Sequence, residues 1–226
     1  MKGATGAHAG VVQRPITLRG VPMDIGQSIS YIFADRDWLK KVLIFGLLFF
    51  IPIIGWLLIG GYVLRLLHNV ITGEQPTLPE WNNWGGDLAG GLKALVVGIL
   101  WGIPIWVLEG IGRGIDSSFI TFIISLISFG WGAVTISAIS DLAVGGNIAD
   151  ALNMRPLNRV LNNIGPYAIY VVMSLIFSIL AMFGLILVVI GVVFTIAIAA
   201  MAITHLGGQA YRIAEGRAST TPAARF

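Results

Sequence analysis

Residues able to carry chemistry are few in this chain, and their spacing is poor for it. There is no Cys, and the three histidines, His8, His68 and His205, are far apart in the sequence. Metal sites need several such ligands at close, recurring spacings, and none is present. No Walker-type loop, dinucleotide fingerprint or nucleophile elbow occurs either. The stretch Gly110-Ile111-Gly112-Arg113-Gly114 is glycine-rich, but it lacks the Lys-Ser/Thr ending of a phosphate loop and follows an apolar run, so it reads as a turn. Asp87, Glu109, Asp116 and Asp141 stand at the ends of apolar tracts, where capping and ion pairing account for them. Glu109 and Arg113 are four apart and predict a structural ion pair across one helical turn. No catalytic, cofactor-binding or metal-binding residue is assigned, and an enzyme is disfavoured.

The segment Gly73–Asp87 is the strongest functional candidate. It holds two Trp, two Pro, two Glu and two Asn beside Arg65. Trp81 and Trp84 are three apart and suit the headgroup level, where Trp is enriched. A docking surface or a substrate gate are the alternatives. Trp38, Arg65, Glu80, Trp81, Trp84 and Arg212 are the candidate interface or lipid-headgroup contacts. His205 lies close to an apolar tract, and a helix–helix hydrogen bond suits it better than a proton relay.

These residues must be positioned by apolar helices. Of 226 residues, 56% are hydrophobic, 29 are Gly and only 11% are charged, against about 25% charged in soluble domains. That excludes a soluble fold, disorder and a nucleic-acid-coating surface; zero Cys excludes a disulfide scaffold. The class is all-α, a polytopic helical membrane protein. Apolar tracts run at about Val42–Leu67, Leu88–Leu108, Phe119–Ser140 and Pro166–Thr204. A span needs about 20 residues, so the last tract folds back, with its turn near Phe183-Gly184. In the first, Pro52 removes a helix hydrogen bond and Gly55 follows, which allows either one tilted span or a hairpin with arms Trp38–Ile51 and Ile54–His68.

Charge placement favours the hairpin. With tract one folded back, every Lys and Arg except Arg113 falls on one side, the cytoplasmic one. The expectation is three helical hairpins, the first short or re-entrant, with both termini cytoplasmic in a prokaryotic inner membrane. Residues 1–24 and 217–226 are then flexible arms around one membrane domain, 25–216. Gly86, Gly90, Gly91 and Gly98 in the second tract, with Gly130, Gly132 and Ala133 in the third, permit close helix contact.

Two polar stretches precede the folded-back tracts. Ile25–Lys41 has apolar residues at helical spacing against Asp, Gln and Lys, and reads as an interfacial amphipathic helix. Asn147–Asn163 reads likewise, with Pro156 breaking it. Gly60-Gly61 before Arg65 and Gly207-Gly208 before Arg212 share one offset, the basis of a possible weak internal repeat.

Several motifs occur in order: Phe33-Ala34-Asp35-Arg36-Asp37-Trp38-Leu39-Lys40-Lys41, Ile51-Pro52-Ile53-Ile54-Gly55, Gly61-Tyr62-Val63-Leu64-Arg65, Gly73-Glu74-Gln75-Pro76-Thr77-Leu78-Pro79-Glu80-Trp81-Asn82-Asn83-Trp84 and Gly208-Gln209-Ala210-Tyr211-Arg212. In these the chain, over about Gly26 to Gly216, resembles the DUF4013 family of prokaryotic integral membrane proteins. The resemblance implies a membrane fold and no particular reaction. The reading is a non-catalytic structural or accessory subunit of a membrane complex or homo-oligomer. Its partners would be membrane lipids and other subunits or copies of itself, with no nucleic acid and no cofactor. The alternatives are a small transporter or channel for an apolar or small solute, and a lipid-acting enzyme.

Overall fold

The computed structural model describes residues 23–75, 77–115, 117–183 and 188–216. Residues 1–22, Pro76, Asp116, 184–187 and 217–226 lie outside the described residues, and with them most of the expected arms and the expected turn near Phe183-Gly184. Those described are helical, with no strand among them. In order the helices are α1 (Gln27–Ala34), α2 (Trp38–Phe49), α3 (Ile54–Thr72), α4 (Trp84–Arg113), α5 (Ser118–Gly145), α6 (Ile148–Ala151), α7 (Arg155–Asn162), α8 (Ile164–Phe183) and α9 (Val188–Ala214). Five segments are long and apolar enough to cross a bilayer: Ile54–Thr72, Trp84–Arg113, Ser118–Gly145, Ile164–Met182 and Val193–Ala214. The chain is a multi-pass integral membrane protein.

The first apolar tract breaks at Pro52. Phe50 and Ile51 close α2 with N–H bonds to the Leu47 and Leu48 carbonyls, and Ile54 N–H donates to the Pro52 carbonyl at 2.8 Å. That bond closes a γ-turn with Ile53 at φ 66°, a strained conformation for a β-branched residue. Trp56 holds the turn by donating its indole N–H to the Phe49 carbonyl at 2.9 Å. Gly55 is required there, because a methyl group in its place would overlap the Leu48 carbonyl oxygen.

Two expected elements differ. Ile25–Lys41 is not one helix: it divides at Asp35, whose backbone is extended and whose Oδ1 accepts from Asp37 N–H at 2.9 Å. An Asp side chain bonding two residues ahead offers the backbone an alternative to the helix. The second stretch is broken as expected, into α6 and α7, but the break falls just ahead of Pro156, which stands in the first turn of α7, where its missing N–H is no loss. Pro104 is carried within α4, which runs unbroken.

Helix α9 is central. Of its apolar window 61% is buried, against 11% for α4. Tyr167, Tyr170, Leu67 and Leu206 form one core around it; Ile32, Val42, Phe45, Tyr62 and Met201 form a second with α1, α2 and α3. A third joins α3, α4 and α5 through Leu64, Val97, Trp101 and Leu142. Helices α3 and α4 meet backbone to backbone: a Cβ at Gly61 would overlap the Asp87 carbonyl, and one at Gly91 the Leu57 carbonyl. This is the close approach that small residues permit in membranes.

Substituting Gly55→Ala should lower the detergent-solubilised thermal midpoint, by more than about 1 kcal/mol in stability, since backbone rather than a side chain must yield. Trp56→Phe, which removes only the indole donor, should cost about 1 kcal/mol by the same measurement.

Candidate functional site

The α3–α4 connection is anchored at both ends by ion clusters. Gly73, at φ 77°, ends α3 with its N–H on the Asn69 carbonyl. Beneath the loop, Lys41 from α2 is almost completely buried. Its ammonium reaches Asp35 Oδ2 at 2.7 Å, the Leu78 carbonyl at 3.2 Å and Glu80 Oε1. Those three acceptors match its three N–H donors. Burial by itself would depress its pKa; Asp35 and Glu80 outweigh that and hold the ammonium above its ordinary value.

Arg65 on α3 grips the buried Asp87 with both arms, at 2.7 and 2.6 Å, and donates to the Glu80 carbonyl at 2.9 Å. Asp87 lies in the first turn of α4, where the helix dipole also favours a carboxylate. Asn83 caps that helix by accepting from Gly86 N–H at 3.2 Å.

Trp81 is half-buried. Its ring stacks on Tyr62 at 4.2 Å and 15°, and on Trp84 at 5.5 Å, while its N–H donates to the Lys41 carbonyl at 3.2 Å. Trp38 packs beside the same core, edge-on to Phe33. The Tyr62 hydroxyl below is the buried side-chain polar atom left without a partner among the described residues.

Arg65, Glu80, Trp81 and Trp84 are thus brought together. Arg212 is elsewhere, donating to the Val70 carbonyl at 3.1 Å from α9. At the opposite end of α4, Glu109 accepts from Ser128 Oγ on α5 at 3.1 Å. The ion pairs among the described residues do not include Glu109 with Arg113.

A cavity of about 590 Å³ opens beside the loop, between α3, α4 and α5. Arg65, His68, Glu74, Glu80, Asn82 and Lys93 supply its polar wall. His68 Nδ1 lies 3.0 Å from the Ala143 carbonyl, and Lys93 donates to the Gly146 carbonyl at 2.9 Å. Among the described residues no group of three or more His, Cys, Asp or Glu is placed to hold a metal ion.

A second polar cluster was not singled out from the sequence. Arg159 on α7 donates to Asp141 at 2.8 and 3.0 Å, to Ser137 Oγ at 2.8 Å and to Glu215 at 2.6 Å. Its guanidinium carbon sits 4.4 Å from the Tyr211 ring centre, and the Tyr211 hydroxyl donates to Asp141 at 2.8 Å. Burial opposes the charge on Arg159, but Asp141 and Glu215 overcome it and raise the pKa. The signal was a basic residue beside an apolar tract, counted for topology when it also required a counter-charge.

The family model described as a protein of unknown function, DUF4013, matches residues 44–190, more than half of the chain. The chain belongs to the DUF4013 family. No curated protein and no solved structure matches it. The DUF4013 match takes in Arg65, Glu80, Asp87, Asp141 and Arg159, whereas Asp35, Lys41, Tyr211 and Glu215 complete the two clusters from outside it.

Replacing Arg159 with Met should lower stability by about 3–5 kcal/mol, because Asp141 would remain buried and uncompensated. Restoring neutrality with Arg159→Met plus Asp141→Asn should recover part of that loss, read by thermal unfolding in the same detergent.

Proposed function

We propose that this DUF4013 protein is a non-catalytic structural or accessory subunit of a membrane complex or homo-oligomer. The observation that carries this is the outer half of the α4–α5 pair. Among the described residues from 102 to 132, Gly112 alone is buried. Ile103, Trp106, Val107, Ile111, Phe119, Phe122 and Leu126 are all exposed. One such face would suit lipid, but helices bare on most sides leave room for further protein helices. Between them and α8 runs a groove of about 340 Å³, lined in part by Gly102, Gly132 and Trp106. Mass measurement of the intact particle in mild detergent should give an oligomer or a complex; a monodisperse monomer without partners would sink the idea.

The topology we infer has three hairpins, α2–α3, α4–α5 and α8–α9, with residues 25–216 as one membrane domain between two arms and both termini cytoplasmic. At 12 residues, α2 is about 18 Å long, short of the roughly 30 Å hydrocarbon core, which supports a re-entrant first hairpin. Lys41, Arg65, Lys93, Arg159 and Arg212 would share the cytoplasmic side. Trp38, Arg65, Glu80, Trp81 and Trp84 would form the loop's inner fastening, with Trp84 at its lipid-facing edge. The Gly-Gly–Arg correspondence between α3 and α9 would be the trace of an internal repeat. Because the chain has no Cys, single cysteines can test this directly. Arg113→Cys should react with an impermeant maleimide from outside intact cells, and Trp56→Cys should be protected from both sides. Labelling of Arg113→Cys only from the cytoplasm would overturn the orientation.

A second reading, binding or passage of a small solute, is favoured by the 590 Å³ cavity, a size common to ligand sites.

A further inference from the structure

A smaller cavity lies on the other side of α3, between α1, α9 and the α3–α4 loop. Its volume is about 30 Å³, more than a single water requires. Arg212, His205, Gln209, Asn69, Gln75 and Thr77 line much of it, and no Asp or Glu is among its lining residues.

Arg212 brings a half-buried positive charge to this space. One of its five N–H donors is given to the Val70 carbonyl, and no ion pair among the described residues includes it. None of the described carboxylates of the adjoining segments pairs with Arg212. Asp24 Oδ1 accepts from Gln27 N–H at 2.8 Å, Glu74 faces His68 at 3.5 Å, and Glu215 is held by Arg159. A guanidinium withdrawn from water without a counter-charge is costly, so the arrangement calls for an anion from solution.

His205 adds a second donor. Its ring stacks on Tyr31 at 4.3 Å, and Nδ1 lies 3.0 Å from Gln209 Nε2. The Gln209 amide is oriented by its other bonds: Oε1 accepts from Asp24 N–H at 2.9 Å and Nε2 donates to the Asp24 carbonyl at 3.0 Å. Gln209 Nε2 can only donate, so His205 Nδ1 accepts and Nε2 carries the hydrogen. The ring therefore offers an N–H donor beside the Arg212 charge.

We propose that this cavity is a site for a small inorganic anion of halide size, held by Arg212 and His205 Nε2–H between α9 and the α3–α4 loop. Its volume does not admit a lipid phosphate with its two ester arms. The anion would tie the loop to the central helix independently of the Lys41 and Arg65 clusters. The subunit role proposed above is not required for it.

The test uses the full chain in detergent, titrated with potassium chloride or bromide against potassium gluconate at fixed ionic strength. Chloride and bromide should raise the thermal midpoint saturably in the wild type. The shift should be lost in Arg212→Gln and kept in Arg155→Gln, which removes a basic residue that does not line the cavity. His205→Phe, which keeps a ring against Tyr31, should weaken the apparent halide affinity about tenfold or more, and it serves if Arg212→Gln does not fold. No halide-specific shift in the wild type would mean the cavity holds water only and overturn the site. So would a shift unchanged in the folded variants, or one produced by phosphate but by neither halide.

Discussion

A buried ammonium must be given acceptors or it will not stay buried, and Lys41 imposes that condition on the elements around it. Its three partners come from the α1–α2 junction and from two places in the α3–α4 loop. Satisfying it therefore fixes the loop over α2, and the loop in turn places Trp81 on Tyr62 and the Glu80 carbonyl on Arg65. Arg65 then fastens Asp87, which sits where α3 and α4 touch through glycine. Removing one charge would strand others, whereas removal of a single apolar contact would leave the remainder in place.

The distribution of polarity along the bundle is unequal. The Lys41, Arg65 and Arg159 clusters all gather at the end formed by α1, α7 and the α3–α4 loop. Toward the other end of α4 and α5, the polar contacts among the described residues shrink to Glu109 with Ser128 and hydroxyls bonded back to their own helix, as at Thr121 and Ser125. One end is specified by directional bonds and the other by apolar shape. Rigidity at the polar end follows from the number of shared partners, since each cluster spans three or more elements.

Much of the fold was legible because its causes are local. Pro52 lacks an N–H and Gly55 follows it, which made a break there one of two readings, and the helix does end at Phe49 and resume at Ile54. The length of the last tract demanded two helices. The division of α1 from α2 was not legible, because the Asp35 side chain competes with a helix whose apolar periodicity continues through it. The site was legible only in part. Two Trp in a polar loop fit a headgroup layer and a packed stack equally well, and stacking on Tyr62 depends on a residue 19 positions upstream. The Arg159 cluster joins residues 18 and 56 apart, a separation at which spacing carries no information.

The placement of α2 sets an order of assembly. Among the described helices it is the second, and it packs most on α9, the last of them, where Gly46 rests directly on Val193. Until α9 is made, the face of α2 around Gly46 lacks its partner, although α3 and the α3–α4 loop can already cover Phe45 and Lys41. Chain synthesis proceeds from the N-terminus, so Gly46 can meet Val193 only after more than a hundred further residues have been made. A chain shortened before α9 would lack the helix against which α1, α2, α3 and α8 pack, and so would expose a seam rather than form a smaller version of the same fold.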